Sequence, residues 1–207
     1  YEVARDFEGH TDRDVVGTTV LARRLGGQIN LSTVTGFVNW KTVDETDLDY
    51  TPLPLIRRSN AEEAFQFTQE VRLGSAANAP WRVSPDVPVR WQAGVFLFTQ
   101  NYEQDAINSF SPFVLSPQVA FPVSQHSPQS ALDDKGFGMY GQATATFDDR
   151  LDITAGARVD HESKEASLNI FFAPAIAPGR LVTSDKGFSN VSPQFSAAYR
   201  VQPDKTV

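Results

Sequence analysis

The sequence predicts an all-β protein, an antiparallel up-and-down sheet of about seven strands laid out as in a transmembrane β-barrel. Three observations carry that expectation. Apolar and polar residues alternate with a period of two, most cleanly over LDITAGARVD (residues 151–160), where Leu151, Ile153, Ala155, Ala157 and Val159 take one face and Asp152, Thr154, Gly156, Arg158 and Asp160 the other. The connections between such runs are alternately short and long, so tight turns gather at one end of the sheet and large loops at the other, the layout of bacterial outer-membrane barrels. The third is an absence. No run of about 18 apolar residues exists to make a membrane helix, whereas a barrel strand needs only about 10 residues and turns every second one to lipid.

In chain order, residues 15–40 (VVGTTVLARRLGGQINLSTVTGFVNW) hold two β-rich runs split by Leu25-Gly26-Gly27-Gln28, glycine supplying the positive φ of a tight hairpin. In the second run Thr33, Thr35 and Phe37 compete with Val34, Gly36 and Val38 for the apolar side, and the pattern leaves both open. Residues 43–62 are expected to be a long acidic, proline-bearing loop. From residue 65, Phe65, Phe67, Val71 and Leu73 oppose Gln66, Thr68, Glu70 and Arg72, with Gln69 interrupting the apolar side. Residues 74–88 carry three prolines around Trp81 and are expected to form a turn of moderate length. In the next strand, residues 89–100, Trp91, Ala93, Val95 and Leu97 oppose Arg90, Gln92, Gly94, Phe96 and Phe98. Residues 101–135 show no period and are expected to be a second long loop.

Residues 137–160 form the clearest hairpin. Phe137, Met139, Ala143, Ala145 and Phe147, with Gly141 as a gap, face away from Tyr140, Gln142, Thr144 and Thr146, and Asp148-Asp149-Arg150 makes the reversal. Residues 163–186 are expected to be a third long connection, and residues 188–201 a strand with Val191, Pro193, Phe195, Ala197, Tyr199 and Val201 opposite Asn190, Ser192, Gln194, Ser196 and Arg200. Gln202-Pro203-Asp204-Lys205 reads as a tight turn, and Thr206-Val207 as the start of an eighth strand.

Composition removes several classes. The net charge of −7 leaves no basic patch for nucleic acid. With no cysteine there is neither a disulfide framework nor a thiolate metal site. The first residues, YEVARDFEGHTDRD, lack the basic and apolar regions of a signal peptide.

FTQEVRLGS (67–75), VRWQAGVFLF (89–98), GMYGQATATFDDRLDITAGARVDHESK (138–164) and FSNVSPQFSAAYRVQPDKTV (188–207) resemble the barrel segments of TonB-dependent outer-membrane receptors, the siderophore and nutrient importers of Gram-negative bacteria. The likeness runs over roughly residues 15–207. It implies a barrel of about 22 strands with a plugged lumen, partnered by outer-membrane lipid, by a small ligand such as an iron-siderophore, and by the TonB complex acting through the plug. The plug, TonB box and closing strands are not found in these 207 residues, which leads to the expectation of one partial barrel domain over 1–207. The alternatives are a passive outer-membrane channel and a soluble β-sandwich binding module.

Glu70 and Arg72 stand two apart on one strand, hence on one face; if that face is the lumen, they either contact the plug or form an ion pair that solubilises the wall, the plainer reading. Arg158, Asp160 and Arg200 invite the same two readings. Tyr102, Phe110 and Phe113 are candidate ligand contacts by position in a loop. Asp44, Glu45, Asp47 and Asp49 alternate as calcium ligands can, but the glycine and distal glutamate of an EF-hand loop are missing, which favours a solvated acidic loop. His10, His126 and His161 have no ligand spacing and fall in or near proposed loops. Trp40, Trp81, Trp91, Tyr140, Phe147 and Tyr199 are expected near the headgroup levels, while Phe96 and Phe98 fit neither belt nor core. There is no nucleophile elbow, phosphate loop or paired-histidine motif, so no enzyme, cofactor or metal is expected.

Overall fold

The computed structural model describes residues 4–24, 26–76, 78–202 and 205–206. Its regular structure is all strand: β1 (His10–Arg24), β2 (Ile29–Asp47), β3 (Ile56–Ser75), β4 (Trp81–Ser84), β5 (Val87–Phe110), β6 (Val123–Phe147), β7 (Leu151–Ala173), β8 (Arg180–Gln202) and β9 (Lys205–Thr206). Neighbours pair antiparallel in chain order, β1-β2-β3-β5-β6-β7-β8-β9, with β4 folded back onto β5. The expected seven long strands and terminal stub are present, and the 74–88 turn carries β4 as an addition. Of the expected turns, Leu25, Ala77, Pro203 and Asp204 lie outside the described residues, as does Val207 of the stub.

The sheet has one layer. Among the described residues the buried apolar side chains are only Ala64, Ala76, Ala106 and Val123. A β-sandwich would bury an interdigitated core between two sheets, and the described residues form no such core. Val191 and Phe195 stay 65% and 73% exposed, side chains that favour an apolar surround over water.

Register fixes which side each residue takes. Val71, Val95, Met139, Val159 and Val191 are successive cross-strand partners, and one residue away Arg72, Gly94, Tyr140, Arg158 and Ser192 make the matching row on the other face. The ambiguity in β2 is resolved the same way: Leu31 pairs with Leu73 and Phe37 with Phe67, so Thr33, Thr35 and Phe37 share the apolar face and Val34, Gly36 and Val38 the polar one. Gln69, which interrupts the apolar run, is accommodated by its neighbours. Thr35 Oγ1 donates to Gln69 Oε1 at 2.7 Å, and Gln69 Nε2 donates to Thr33 Oγ1 at 2.6 Å.

The apolar face covers residues 137–147 of β6 and 151–159 of β7, the span a tilted strand needs to cross a bilayer. Beyond it the same face turns polar, with Lys135 and Asp133 on β6, Glu165 on β7 and Glu103 on β5. The strands continue regardless. β6 is 25 residues long, about 85 Å at the usual rise, so more than half of it stands outside the belt.

This corrects the three long loops. Residues 43–62, 101–135 and 163–186 are mostly strand, and the true connections are 48–55, 111–122 and 174–179. Beyond the apolar stretch both faces are polar, so the period-two signal vanishes although the ladder hydrogen bonds persist. At the other end the turns are tight: Gly26 and Gly27 have φ of 124° and 71°, and Asp148 and Asp149 have φ of 50° and 55°, the left-handed pair of a primed hairpin turn.

The 48–55 connection is organised by carboxylates. Asp47 Oδ1 accepts the backbone N–H groups of Asp49 and Tyr50 at 3.1 Å. Asp49 accepts from Thr51 N at 3.0 Å, from Ile56 N at 2.7 Å and from the Thr51 hydroxyl. Those bonds, the hydroxyl's first, hold the Asp49 carboxyl below its ordinary 3.8. A depressed folded pKa means the contribution is fully present above the ordinary value and is lost as pH falls through the folded one. The protection factors of the Thr51 and Ile56 amides, corrected for intrinsic exchange, should therefore fall below about pH 4, and an Asp49→Asn variant should lose that dependence.

Candidate functional site

The polar face holds two clusters, one at the depth of the apolar belt and one beyond it. The first is built from β3, β6 and β7. Glu70 and Arg72 pair at 2.9 Å, and Tyr140, from a strand 68 residues further on, closes the arrangement: its hydroxyl donates to Glu70 Oε1 at 2.5 Å while Arg72 Nε donates to the phenol oxygen at 2.9 Å. Arg158 binds Asp160 through Nε at 2.8 and 2.9 Å and through Nη2 at 2.7 Å. Around these groups lies a cavity of about 430 Å³, lined also by Gln92, Gln142 and Gln194. Its charges are compensated, Arg72 by Glu70 and Arg158 by Asp160 just outside the cavity, leaving a surface of amides, hydroxyls and paired ions.

Glycines make this arrangement possible. Tyr140 lies flat over its register partner Gly94, where a Cβ would fall 2.5 Å from the phenol oxygen, and Phe98 lies over Gly136 in the same manner at 2.7 Å. Aromatic rings thus cover glycine backbone and the wall stays thin. Phe96 and Phe98 stack at 6.2 Å on this face, a continuation of the same lining. Replacing Tyr140 with Phe removes the donor to Glu70 and the acceptor for Arg72; the full-length protein should lose about 1 kcal/mol in denaturant unfolding, with little change in strand content by circular dichroism.

The second cluster lies toward the loop end. Asn60 Nδ2 donates to Glu62 Oε1 at 2.9 Å, Gln104 Nε2 donates to Asn60 Oδ1 at 2.8 Å and to Glu62 Oε1 at 3.2 Å, and Ser130 Oγ donates to Gln104 Oε1 at 3.4 Å. A groove of about 620 Å³ is lined in part by Thr42, Glu62, Gln104 and Ser130. Tyr102 sits beside it against Trp40, ring centroids 6.1 Å apart. Burial, and then the Glu62 carboxylate, push the Tyr102 phenol above its ordinary value, so it stays protonated.

The eight residues singled out from sequence are thus placed as follows. Glu70, Arg72, Arg158 and Asp160 converge in the first cluster. Arg200 shares their face but stands apart at the tight-turn end, where Nη2 donates to Asp152 Oδ2 at 2.8 Å and Nη1 to the Asp149 carbonyl at 2.7 Å. Tyr102 belongs to the second cluster and lies in β5, not in a loop. Phe110 ends β5 and the exposed Phe113, with φ of 68°, lies in the connection beyond it; neither converges with Tyr102, since eight residues of strand span about 27 Å.

Other expectations are corrected. His10, His126 and His161 lie in strands β1, β6 and β7. His126 is half-buried, stacked on Phe171 at 4.3 Å and bonded through Nδ1 to Asp105 at 2.7 Å, a setting hidden from sequence because the strand around it has no alternation. Asp44 turns to the polar face, where Thr11 Oγ1 donates to it at 2.6 Å, whereas Glu45 and Asp47 lie on the other face and Asp49 caps the connection. Among the described residues no three His, Cys, Asp or Glu side chains are grouped to hold a metal. Trp81, Trp91, Phe147 and Tyr199 gather on the apolar face at the tight-turn end, with Trp81 and Trp91 5.1 Å apart. Trp40 and Tyr140 are on the polar face instead, because their register partners are Ala64 and Gly94.

Residues 5–207 match the family model described as TonB dependent receptor-like, beta-barrel. No curated protein sequence matches. Among solved structures the fold is similar to that of the ferric yersiniabactin uptake receptor FyuA from Yersinia pestis, with a TM-score of 0.71 and 14% identity over 95% of this chain and 27% of that one. At that identity the likeness speaks for the fold, and the chain spans about a quarter of the receptor's length.

Proposed function

The chain belongs to the TonB-dependent receptor β-barrel family, and from that premise we propose that it forms part of the wall of an energy-coupled importer in the outer membrane of a Gram-negative bacterium. One observation carries the reading: a single-layer wall with exposed apolar side chains on one face and a charge-compensated polar lining on the other. The apolar face meets outer-membrane lipid, the polar face lines the lumen, and the extended strand ends and their connections stand on the extracellular side. The plug, held in that lumen, passes to the wall the work done by the TonB complex, and the cargo is a small scarce nutrient, an iron-siderophore or another.

Seven long strands are about a third of the barrel such a receptor needs, so ligand capture is shared with wall and plug segments beyond this one. Glu70, Arg72, Arg158 and Asp160 line the lumen at belt depth as paired ions that keep the wall wetted. The test is uptake by cells carrying the full-length protein. Accumulation of a labelled ligand that stops when the inner-membrane gradient is collapsed supports the importer. Equally fast accumulation without the gradient identifies a passive channel and sinks the proposal.

A further inference from the structure

Trp40, Ala64 and Tyr102 are successive register partners on β2, β3 and β5. The two rings close over the small residue between them, leaving Ala64 7% exposed, and meet at 6.1 Å with planes inclined by 48°. Together they form one aromatic platform on the polar face. Same-face positions on a strand are about 7 Å apart, so a polar row borders the platform on each side. Toward the loops stand Glu62 and Gln104, already joined by hydrogen bonds through Asn60. Toward the tight turns stand Gln66 and Gln100, partners across β3 and β5.

On the polar face, among the described residues, the cations within one row and two strands of the platform are Arg13 on β1 and Lys164 on β7, while Lys41 lies on the opposite face and pairs with Glu63 at 2.6 Å. Arg13 Nε donates to Thr42 Oγ1 at 3.0 Å, and Lys164 is held by Asp134 at 2.8 Å and Glu162 at 2.6 Å. On β2, β3 and β5 themselves the polar face carries no cation in the platform row or in the row on either side of it, so the site has no positive charge of its own aimed at an anionic ligand. It offers a flat π-surface for C–H groups and, on both sides, amides that donate and accept at once.

We propose that the Trp40–Tyr102 platform with its flanking amides is a subsite for an uncharged, hydroxyl-rich ring, a sugar unit of the imported ligand. The C–H face of the ring packs on the aromatic pair and its hydroxyls bond Gln66, Gln100, Gln104 and Glu62. An amide-lined site of this kind discriminates against analogues lacking the hydroxyls, because its own polar groups are then left unpaired. This rests on the importer reading, since it places the site in the wall of the ligand's path.

The test uses the full-length receptor in detergent on an array of neutral oligosaccharides, with folding of every variant checked by heat-modifiable gel mobility. At least one glycan should bind. Trp40→Ala, and separately Gln66→Ala with Gln100→Ala, should each weaken it by roughly tenfold or more, the loss of one stacked ring or of a bidentate hydrogen-bonded pair. Binding of no neutral glycan overturns the proposal, and so does a bound glycan whose affinity neither folded variant changes. If the glycan binds through these residues yet energised cells do not accumulate it, the importer reading fails and the subsite stands.

Discussion

An arginine placed at Ala155 in the full-length protein should cost about 2–4 kcal/mol, enough to block insertion of a marginal barrel. Ala155 is exposed on the apolar face, midway along the lipid-facing part of β7, between Ala143 of β6 and Phe195 of β8. A guanidinium there has no carboxylate in reach and no water at that depth. It must snorkel along several residues of strand or thin the bilayer. Thr154→Arg provides the contrast. One residue away the side chain points to the polar face, where Thr154 shares a 2.8 Å hydrogen bond with Thr144, and an added charge remains wetted; its cost should stay below about 1 kcal/mol. Equilibrium unfolding of both variants from lipid vesicles measures the difference. If Ala155→Arg folds as stably as Thr154→Arg, the two faces have been assigned the wrong way round.

The second large effect runs against strand propensity. Valine favours strands and glycine does not, yet Gly94→Val should destabilise the full-length protein by about 2–4 kcal/mol. A Cβ at Gly94 meets the Tyr140 Oη at 2.5 Å and Cζ at 2.6 Å, and Tyr140 can move aside only by giving up both Glu70 and Arg72. Gly141→Ala is the control, because a Cβ there finds its nearest neighbour at 3.8 Å, ordinary contact. The mechanism predicts coupling: once Tyr140→Ala has removed the ring, Gly94→Val should be nearly neutral. A double-mutant cycle with no interaction energy would show that the glycine serves something other than the tyrosine.

Residues decided how much of this was visible beforehand. The 151–160 strand can be read directly because its two faces have opposite character, and alternation over nine or ten residues marks a strand with one apolar and one polar side. Glu70 and Arg72 were placed on one face by their spacing alone. By pattern Tyr140 belongs to a headgroup belt, since nothing local shows that its partner across the ladder is a glycine or that an Arg–Glu pair from 68 residues earlier will reach it. By pattern Tyr102 falls in a loop, because the strand around it, NYEQDAINSF, is polar on both sides. His126 was missed for the same reason.

The sequence by itself determined the number of long strands, the Gly26-Gly27 and Asp148-Asp149 turns and the two-faced character of the belt, because an apolar surround on one side and a polar one on the other impose a period of two that composition must obey. Only the tertiary structure decided how far the strands run past the membrane, which face of β2 is apolar, and which side chains meet across the wall. Those depend on register between strands distant in sequence, and beyond the belt register is held by ladder hydrogen bonds and cross-strand pairs that any polar sequence can supply.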